Sequence, residues 1–376
     1  MFHLFTGIAY LFVLWRFVVP LPWPRSARVL LALLLLVASK YHFLILLTTE
    51  NMFSPEIPFW LAAVMGWAFC TFVLLFLLTV LADVALGISA LLARRRTSRR
   101  ALGRSRLLSG AVAAIAALVG TYQAVQVPEV KRVELELPGW PAQLDGYRLV
   151  QLTDLHISRL FPKPWAAQVV ARTNALHADL IVITGDLIDG TTQARREDVA
   201  PLQDLAAKQG VIAIPGNHEY YFDEPAWQGV FEGMGMRYLT NAQTQVGEGE
   251  RAFTVAGVTD PVALRFGAAG PDLAAALKGA PANEFKLLLS HRPIDMQTNA
   301  EAGVGLQLSG HTHGGMIKGF DKLIAKANGG FVSGLYQIGA LQLYVSNGTG
   351  LWNGFPIRLG VPAEITEFVL HPKRAE

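Results

Sequence analysis

The sequence predicts an α/β protein with an N-terminal region of four transmembrane helices, followed by a domain of two packed sheets flanked by helices. Two observations predict this division. Of the 376 residues, 52% are hydrophobic and only 16% are charged, which is too apolar for one ordinary soluble domain. From residue 128 onward, strand and helix patterns alternate, as they do in layered α/β domains. We therefore assign residues 1–127 to the membrane, 128–147 to a linker and first strand, and 148–376 to the second domain.

Four nearly uncharged apolar runs fill the first third of the chain. Each is close to the roughly 20 residues that a helix needs to cross about 30 Å of hydrocarbon. We predict transmembrane helices over about residues 2–19, 29–47, 59–81 and 107–127. A buried soluble helix, which is also apolar all round, is the alternative for each run, above all for the alanine-rich fourth.

The charges of the connecting loops predict the orientation of these helices. The loop 94–106 holds seven arginines, whereas the connection 48–58 has Glu50 and Glu56 and no basic residue. Because basic loops stay in the cytoplasm, the arginine-rich loop should be cytoplasmic and both termini should lie outside. Within this loop, Ser98-Arg99-Arg100 before an apolar run resembles a twin-arginine export signal, although an arginine-rich loop produces such a pair easily.

In the second domain, the periodicity of apolar residues predicts each element in turn. An edge-like strand at 133–137 precedes the domain. The predicted strands of the domain are 147–152, 180–184, 211–214, 253–258, 285–289, 305–309, 335–345 and 364–370. The predicted helices are 165–176, 195–208, 225–234 and 293–302. The order is βαβαβ at first and richer in strands later, which favours two packed sheets with helices outside.

Five of the predicted strands end in residue types that bind metals. Open α/β sheets bind ligands outside the carboxyl ends of their strands, so one site collecting all five ends is the simplest interpretation. The donors are oxygens and nitrogens, and the single cysteine, Cys70, excludes a cysteine-based zinc site. Such a set suits two divalent ions of manganese, iron or zinc. The candidate ligands are Asp154, His156, Asp186, Asn217, His291, His311 and His313.

These strand ends resemble the calcineurin-like metallophosphoesterase superfamily. Its blocks Asp-x-His, Gly-Asp, Gly-Asn-His-Glu, a single His and Gly-His-x-His all occur here in that order, over roughly residues 148–370. The downstream stretches 346–350 and 356–360 are similar to membrane-associated or exported bacterial members. Met316 and Asn347 stand where that branch often has Gln and Arg, a departure that concerns substrate contacts and not metal binding. The resemblance implies an α/β/β/α sandwich.

The resemblance also implies how the ligands are shared between two ions. One ion would be bound by Asp154, His156, Asp186 and His313. The other would be bound by Asp186, Asn217, His291 and His311, with Asp186 bridging.

Two further residues receive catalytic roles by the same resemblance. His218 would bind the phosphoryl group and protonate the leaving oxygen, and Asp189 would steady the His218 imidazole. A turn residue before Gly190 is the alternative for Asp189. Glu219 is predicted to be a helix-entry or turn residue.

Aromatic residues near these strand ends have two interpretations. They could line an apolar rim for a lipid chain or for the bilayer interface, or they could simply pack in the core. The residues concerned are Phe161, Trp165, Tyr220, Tyr221, Phe222, Trp227 and Trp352.

We therefore expect a phosphoesterase in a bacterial inner membrane with its catalytic domain in the periplasm. Its partners would be the bilayer and a phosphate-containing envelope lipid or glycan, cleaved as a monoester, diester or pyrophosphate.

One alternative is a UDP-diacylglucosamine pyrophosphatase-like enzyme of lipid A synthesis, which the predicted orientation disfavours because that substrate is cytoplasmic. Another is a non-hydrolytic metal- or lipid-binding sensor. The net charge of +3 is modest, and its basic part is concentrated in one loop, so the sequence does not indicate binding to nucleic acid. The oligomeric state is left open.

Overall fold

The computed structural model describes residues 1–94 and 98–373, which form two compact units. The helical unit comprises Met1–Ala124 together with Asn353–Leu359. The α/β unit comprises Val125–Trp352 and the chain from Gly360 onward. Arg95 and Arg96 of the predicted arginine-rich loop lie outside the described residues, as does the side chain of Arg99 in the twin-arginine stretch.

All four predicted apolar runs are helical, but they do not form four uniform spans. A short π-helix, Leu14–Val18, continues the first helix, and a break at Lys40 divides the second run in two. The α-helices of this unit are α1 (Phe2–Val13), α2 (Arg25–Ser39), α3 (Tyr41–Thr49), α4 (Phe59–Leu92) and α5 (Arg99–Ala124).

Two of these helices, α4 and α5, are long and apolar enough to cross a membrane, and the number rises to three if the bent pair α2 and α3 is one span. The pair is bent by 53° because Lys40 leaves helical geometry, with φ −108° and ψ 10°. The first run has 12 α-helical and 5 π-helical residues. At 1.5 Å per residue this amounts to about 25 Å, short of a hydrocarbon core of about 30 Å.

Charged residues of three helical segments pair inside the helical unit. Asp83 of α4 accepts hydrogen bonds from Arg16 Nε at 2.7 Å and from Arg106 Nη2 of α5. Arg106 is fully buried. Unpaired charges are costly in an apolar environment, so this carboxylate allows the two arginines to be accommodated among apolar helices.

The segment 353–359, predicted within the second domain, instead packs among the helices. A Cβ atom on Gly66 of α4 would lie 2.6 Å from Pro356 Cγ, and one on Gly120 of α5 would lie 2.4 Å from Ile357 Cγ1. The backbone N–H of Arg358 donates to the Gly120 carbonyl oxygen at 3.0 Å. The two glycines leave notches that this apolar segment fills, a tertiary fit that periodicity does not reveal.

The α/β unit contains two six-stranded sheets. The first has the order β1-β12-β2-β3-β4-β5 and the second the order β10-β11-β9-β8-β7-β6. The first six strands are β1 (Glu129–Leu137), β2 (Tyr147–Leu152), β3 (Leu180–Thr184), β4 (Val211–Ile214), β5 (Arg237–Tyr238) and β6 (Ala242–Val246). The remaining six are β7 (Phe253–Gly257), β8 (Lys286–Leu289), β9 (Leu306–Ser309), β10 (Gly334–Ile338), β11 (Leu341–Val345) and β12 (Glu364–Pro372).

The strand directions bring the carboxyl ends of the central strands together. Strands β2 to β5 are parallel in the first sheet, as are β7, β8, β9 and β11 in the second. Buried apolar side chains of both sheets, such as Val182 and Leu287, share one hydrophobic core. The two sheets therefore pack face to face.

Short helices complete the unit, and some of them cover the outer face of the second sheet. Met296 and Ala276 pack there against Leu288 and Leu343. These helices are α6 (Lys163–Asn174), α7 (Thr192–Val199), α8 (Asn217–Tyr221), α9 (Glu224–Gly233), α10 (Leu273–Ala276), α11 (Met296–Glu301) and α12 (Asp321–Ala327). The single strand predicted over 335–345 is a hairpin of β10 and β11, because Gly339 turns the chain at φ 59°.

Candidate metal centre

The predicted ligands lie in the loops that follow β2, β3, β4, β8 and β9, at the carboxyl ends of both sheets. Five of the seven have positive φ angles, a region that residues other than glycine rarely adopt. Strained backbone of this kind accumulates at functional sites because it aims side chains where a regular strand cannot. The five are Asp154 (52°), His156 (45°), Asp186 (54°), His311 (70°) and His313 (49°).

Two glycines allow these loops to approach one another closely. A Cβ atom on Gly216 would lie 2.2 Å from Asp186 Oδ1, and one on Gly310 would lie 2.3 Å from Asp154 Oδ2. Any side chain at either position would displace a carboxylate of the site. The Asp154 carboxylate also accepts the backbone N–H of His311, with 3.1 Å to Oδ1 and 3.0 Å to Oδ2. This contact links the two sheets.

The first cluster of ligand atoms comprises Asp154, His156 and His313. Asp154 Oδ1 lies 3.9 Å from His156 Nε2 and 3.6 Å from His313 Nε2. These separations are too long for hydrogen bonds. Two donors that each lie about 2.0–2.2 Å from one ion are at most about 4.4 Å apart, so the distances suit a shared ion.

The second cluster comprises Asp186, His291 and His311. Asp186 Oδ2 lies 3.2 Å from His291 Nε2 and 3.7 Å from His156 Nε2 of the first cluster. Asp186 therefore stands between the two clusters. His291 Nδ1 lies 2.8 Å from the Thr184 carbonyl oxygen. A carbonyl only accepts hydrogen bonds, so Nδ1 carries the proton and Nε2 presents the lone pair when the ring is neutral.

The donor set fits divalent cations. His156 Nε2 is buried and has no hydrogen-bond partner within residues 1–94 and 98–373. Its other nitrogen, Nδ1, lies 3.1 Å from Asp189 Oδ1, which holds the ring with Nε2 facing the carboxylates. Buried polar atoms in native proteins normally have partners. A cation between these groups would supply the missing one.

The buried carboxylates and imidazoles of the site also shift one another's pKa values. Burial, and then the neighbouring Asp186, raise the pKa of Asp154, so that two buried carboxylates compete to stay ionised. Burial also opposes ionisation of Asp186, but His291 and His218 hold the pKa of Asp186 well below its usual value. Burial and the nearby His291 and Arg292 lower the pKa of His311, which keeps that imidazole neutral, as a metal ligand must be.

Asn217 lies at the start of α8, beside Asp186, but its side chain has another partner. Its Oδ1 accepts a hydrogen bond from Arg292 Nη2 at 3.3 Å. The next backbone N–H, that of His218, donates to Asp186 Oδ1 at 2.8 Å. The structure thus brings the six histidine and aspartate ligands into two clusters, and it places Asn217 directly before the His218 N–H that contacts Asp186.

The two predicted catalytic residues are in direct contact. Asp189 Oδ1 lies 2.5 Å from His218 Nδ1, and the same oxygen contacts His156. Asp189 is fully buried, and its carbonyl oxygen accepts a hydrogen bond from Arg195 Nε at 2.9 Å. Burial favours the neutral form of His218, but the carboxylates of Asp186 and Asp189 raise the pKa of His218 to about 9. These carboxylates therefore favour the charged form of the His218 imidazole.

Glu219 has a larger part in the site than the sequence indicates. It does close the first turn of α8, because its carboxylate accepts the Gly216 N–H at 2.7 Å. The same carboxylate also accepts the N–H groups of Asp186 at 3.0 Å and Leu187 at 2.7 Å. Glu219 is fully buried, and burial together with Asp186 raises its pKa to about 7. It fixes the backbone that presents Asp186.

Arg292 is a second residue that the sequence did not single out. Its Nε donates to Asp260 Oδ2 at 2.6 Å, which holds the guanidinium beside Asn217. The side chain is 27% exposed, so it borders the site from the solvent side. Its position directly after His291 in the sequence is the feature that could have indicated a place beside the site.

Of the two interpretations of the aromatic residues, ordinary packing is the one that burial supports for five of the seven. The buried ones are Phe161, Trp165, Tyr220, Phe222 and Trp227.

Known proteins resemble this chain in sequence. Residues 147–315 match the family described as calcineurin-like phosphoesterase. A transmembrane protein with metallophosphoesterase domain from Danio rerio is 31% identical over 83% of this chain and 74% of its own length. An uncharacterized metallophosphoesterase of Helicobacter pylori is 32% identical over 68% of this chain and 67% of its own. A solved dimetal phosphatase from Danio rerio is only 15% identical, with a TM-score of 0.36 over 55% of this chain and 88% of that one.

Proposed function

Because this chain belongs to the metallophosphoesterase family, and is thus a metal-dependent phosphoric ester hydrolase, we propose that it is a membrane-anchored enzyme with two divalent ions. The observation that carries the proposal is the convergence of six histidine and aspartate side chains at the strand ends. Within each cluster, the ligand atoms lie within 4.8 Å of one another. Asp186 would be shared by the two ions, because its carboxylate faces an imidazole of each cluster.

We assign the ligands as the resemblance implies. Asp154, His156, Asp186 and His313 would hold one ion, and Asp186, Asn217, His291 and His311 would hold the other. Asn217 Oδ1, which accepts from Arg292 here, would then face the ion instead. Manganese, zinc and iron all suit these donors. Bound divalent ions stabilise charge on the phosphoryl oxygens and make water a better nucleophile at neutral pH.

The residues of the chain perform the remaining steps. His218, whose charged form the neighbouring carboxylates favour, would bind a phosphoryl oxygen and then give its Nε2 proton to the leaving oxygen. Asp189 keeps the His218 ring oriented through Nδ1 and also orients His156. Glu219 is a positioning residue, since its three backbone hydrogen bonds fix the turn at Asp186.

We propose a bacterial inner-membrane location with the catalytic domain outside the cytoplasm. The apolar helices and the relatives named as transmembrane proteins support membrane association. The arginine-rich loop 94–106 supports the orientation. With α1 and its π-helical extension as a short span, and α2 with α3 as a bent one, the helical unit would cross four times and leave both termini outside.

A phosphate-containing envelope lipid or glycan is the substrate class that this location makes available. To test the function, the full chain should be purified in detergent, analysed for metals and assayed with p-nitrophenyl phosphate, bis-p-nitrophenyl phosphate and a panel of envelope phospholipids and lipid pyrophosphates. We expect metal-dependent hydrolysis of at least one envelope lipid. Hydrolysis of the soluble esters alone would contradict the lipid substrate, and no hydrolysis at all would contradict the enzymatic proposal.

The orientation has its own test. Alkaline phosphatase is active only outside the cytoplasm. A reporter fused after Glu376 should therefore be active, whereas one inserted in the loop 94–106 should be inactive. The reverse pattern would contradict the proposed orientation and favour a cytoplasmic lipid A enzyme.

A further inference from the structure

Few large apolar side chains of the α/β unit are exposed. Four of them lie in two segments that flank the metal centre, 261–266 and 317–327, which we call the rim segments. Within the described part of this unit, the exposed large apolar residues are Val130, Leu264, Phe266, Phe320, Leu323 and Leu335. Exposed apolar groups that concentrate around a site indicate an interaction surface.

The first rim segment borders the His218 side of the centre. The Tyr221 ring lies 5.1 Å from the His218 ring, and the Phe266 ring lies 5.9 Å from Tyr221. Val262 and Ala263 anchor this segment by packing against Tyr220. Leu264 and Phe266 instead point outward, with 68% and 53% of their surfaces exposed. The fold thus exposes two large apolar side chains in the segment that reaches the His218 ring through Phe266 and Tyr221.

The second rim segment borders the His313 side. Helix α12 begins against the metal loop, since a Cβ atom on Gly315 would lie 2.7 Å from Asp321 Cα. Phe320, immediately before α12, is 39% exposed, and Leu323 within it is 64% exposed. Because His313 and His218 both lie against His156, with ring centroids 5.2 Å and 4.5 Å away, the two segments flank one centre.

Basic residues accompany these apolar groups. Four are exposed, namely Arg265, Lys318, Lys322 and Lys326. None of the four forms an ion pair with any residue that the structure describes. The one acidic residue of the second segment, Asp321, accepts the Gly319 N–H at 2.7 Å. Exposed leucine and phenylalanine beside unpaired lysine and arginine are typical of segments that lie in the interface of an anionic bilayer.

We propose that the two rim segments contact the surface of an anionic bilayer, so that the metal centre works at the lipid–water interface. The apolar side chains would enter the acyl boundary and the four cations would meet lipid phosphates. The same chain carries candidate membrane spans, which keep a bilayer at high effective concentration. The proposed lipid contact is inferred from the exposed residues alone. The proposal that this contact serves catalysis rests on the proposed function.

The test places a fluorophore on the rim. Cys70 is the single cysteine, so Leu323→Cys or Phe266→Cys in a Cys70→Ala background gives one labelling site. Glu248→Cys is the matched control, because Glu248 is exposed and precedes β7, at the end of the sheet opposite the metal centre. The full chain, labelled with an environment-sensitive dye, is reconstituted in nanodiscs of phosphatidylethanolamine and phosphatidylglycerol with or without brominated acyl chains.

We expect brominated lipid to quench the labels at 323 and 266 but not the label at 248. Labels at 323 and 266 that remain as exposed to water as the control would overturn the proposal. A label shielded from water but not quenched would indicate a protein partner and would overturn it equally.

The charges give a second, independent readout. Lys322→Gln and Lys326→Gln should each lower the ratio of quenched to unquenched label about fivefold in anionic discs. Neither should alter that ratio in discs of phosphatidylcholine alone. Equal effects in both lipids would contradict the role assigned to the cations.

The two proposals fail separately. The quenching measurement is repeated with Asp186→Asn, which removes the proposed bridging ligand and does not touch the rim. Quenching without hydrolysis of any envelope lipid by the wild-type chain would leave the lipid contact standing and remove the lipid substrate. Lipid hydrolysis without quenching would leave the lipid substrate standing and remove the lipid contact.

Discussion

Asp189 Oδ1 lies 2.5 Å from Nδ1 of His218. One carboxylate oxygen thereby fixes the ring that we assign as the proton donor, while its second contact reaches His156 in the first metal cluster. Substitutions at these positions should separate proton transfer from metal binding.

For His218→Asn, we expect both ions to stay bound and kcat to fall by about 10²–10⁴, the usual loss for a general acid. The loss should be smaller for p-nitrophenyl phosphate, whose leaving oxygen needs little protonation, than for an alkyl phosphate. Steady-state kinetics with both esters and metal analysis check this. Equal losses on the two esters would indicate phosphate binding alone, and a lost ion would make His218 a ligand.

The pH dependence of kcat should reveal the contribution of Asp189. Carboxylates raise the pKa of His218 to about 9, so its acidic form predominates below that pH and disappears as the pH rises through it. The rate should therefore fall on the alkaline side. Asp189→Asn removes one of these carboxylates, so the alkaline fall should move to lower pH. In the His218→Asn background the alkaline fall assigned to His218 should be absent, and an alkaline fall that Asp189→Asn still moves there would contradict the pairing.

Glu219→Ala should destabilise the fold around Asp186. Three backbone N–H groups lose their acceptor in a fully buried place, which should cost about 2–4 kcal/mol in the free energy of unfolding. Glu219→Gln keeps an acceptor oxygen and is the matched control, with a smaller loss. Urea unfolding of the metal-free chain measures the free energy of unfolding of both variants. An unfolding free energy for Glu219→Ala equal to that of Glu219→Gln would refute the positioning role.

Gly66→Ala should displace the segment 353–359 from the helical unit. The new methyl group would lie 2.6 Å from Pro356 Cγ, and overpacking of this kind costs about 1–3 kcal/mol. Limited trypsin digestion provides the readout, because Arg358 is buried while the segment is packed. Cleavage after Arg358 should accelerate in Gly66→Ala. In Gly87→Ala, on the same helix but with no atom within 4 Å of the added group, cleavage should not accelerate. Equal cleavage of the two variants would show that the notch does not hold the segment.

The sequence predicts most of the strands and the clustering of their ends, because buried parallel strands give continuous apolar runs that stop at polar residues. Residues 180–184 and 211–214 match β3 and β4 residue for residue. The approach of Asp154 to His313 depends on the packing of the two sheets, because Asp154 follows β2 of the first sheet and His313 follows β9 of the second.

What periodicity misses depends on tertiary packing. Phe161 and Trp227, for which the sequence leaves an apolar rim and core packing both open, are fully buried, whereas Leu264 and Leu323, which no pattern distinguishes, are exposed. The buried acceptor role of Glu219 depends on three backbone groups that converge only in the folded chain. The fit of Pro356 against Gly66 joins residues about 290 positions apart, a contact that no local pattern encodes.

The central claim is a pair of divalent ions bridged by Asp186, and metal analysis of the full chain beside Asp186→Asn tests it most directly. Elemental analysis after dialysis against a metal buffer, with turnover of p-nitrophenyl phosphate in the same samples, gives both quantities needed. We expect two ions per wild-type chain, and for Asp186→Asn fewer than two ions with turnover abolished, because a neutral amide no longer offsets the charge of both cations. An Asp186→Asn chain that retains two ions and a near-normal rate would contradict the bridged pair.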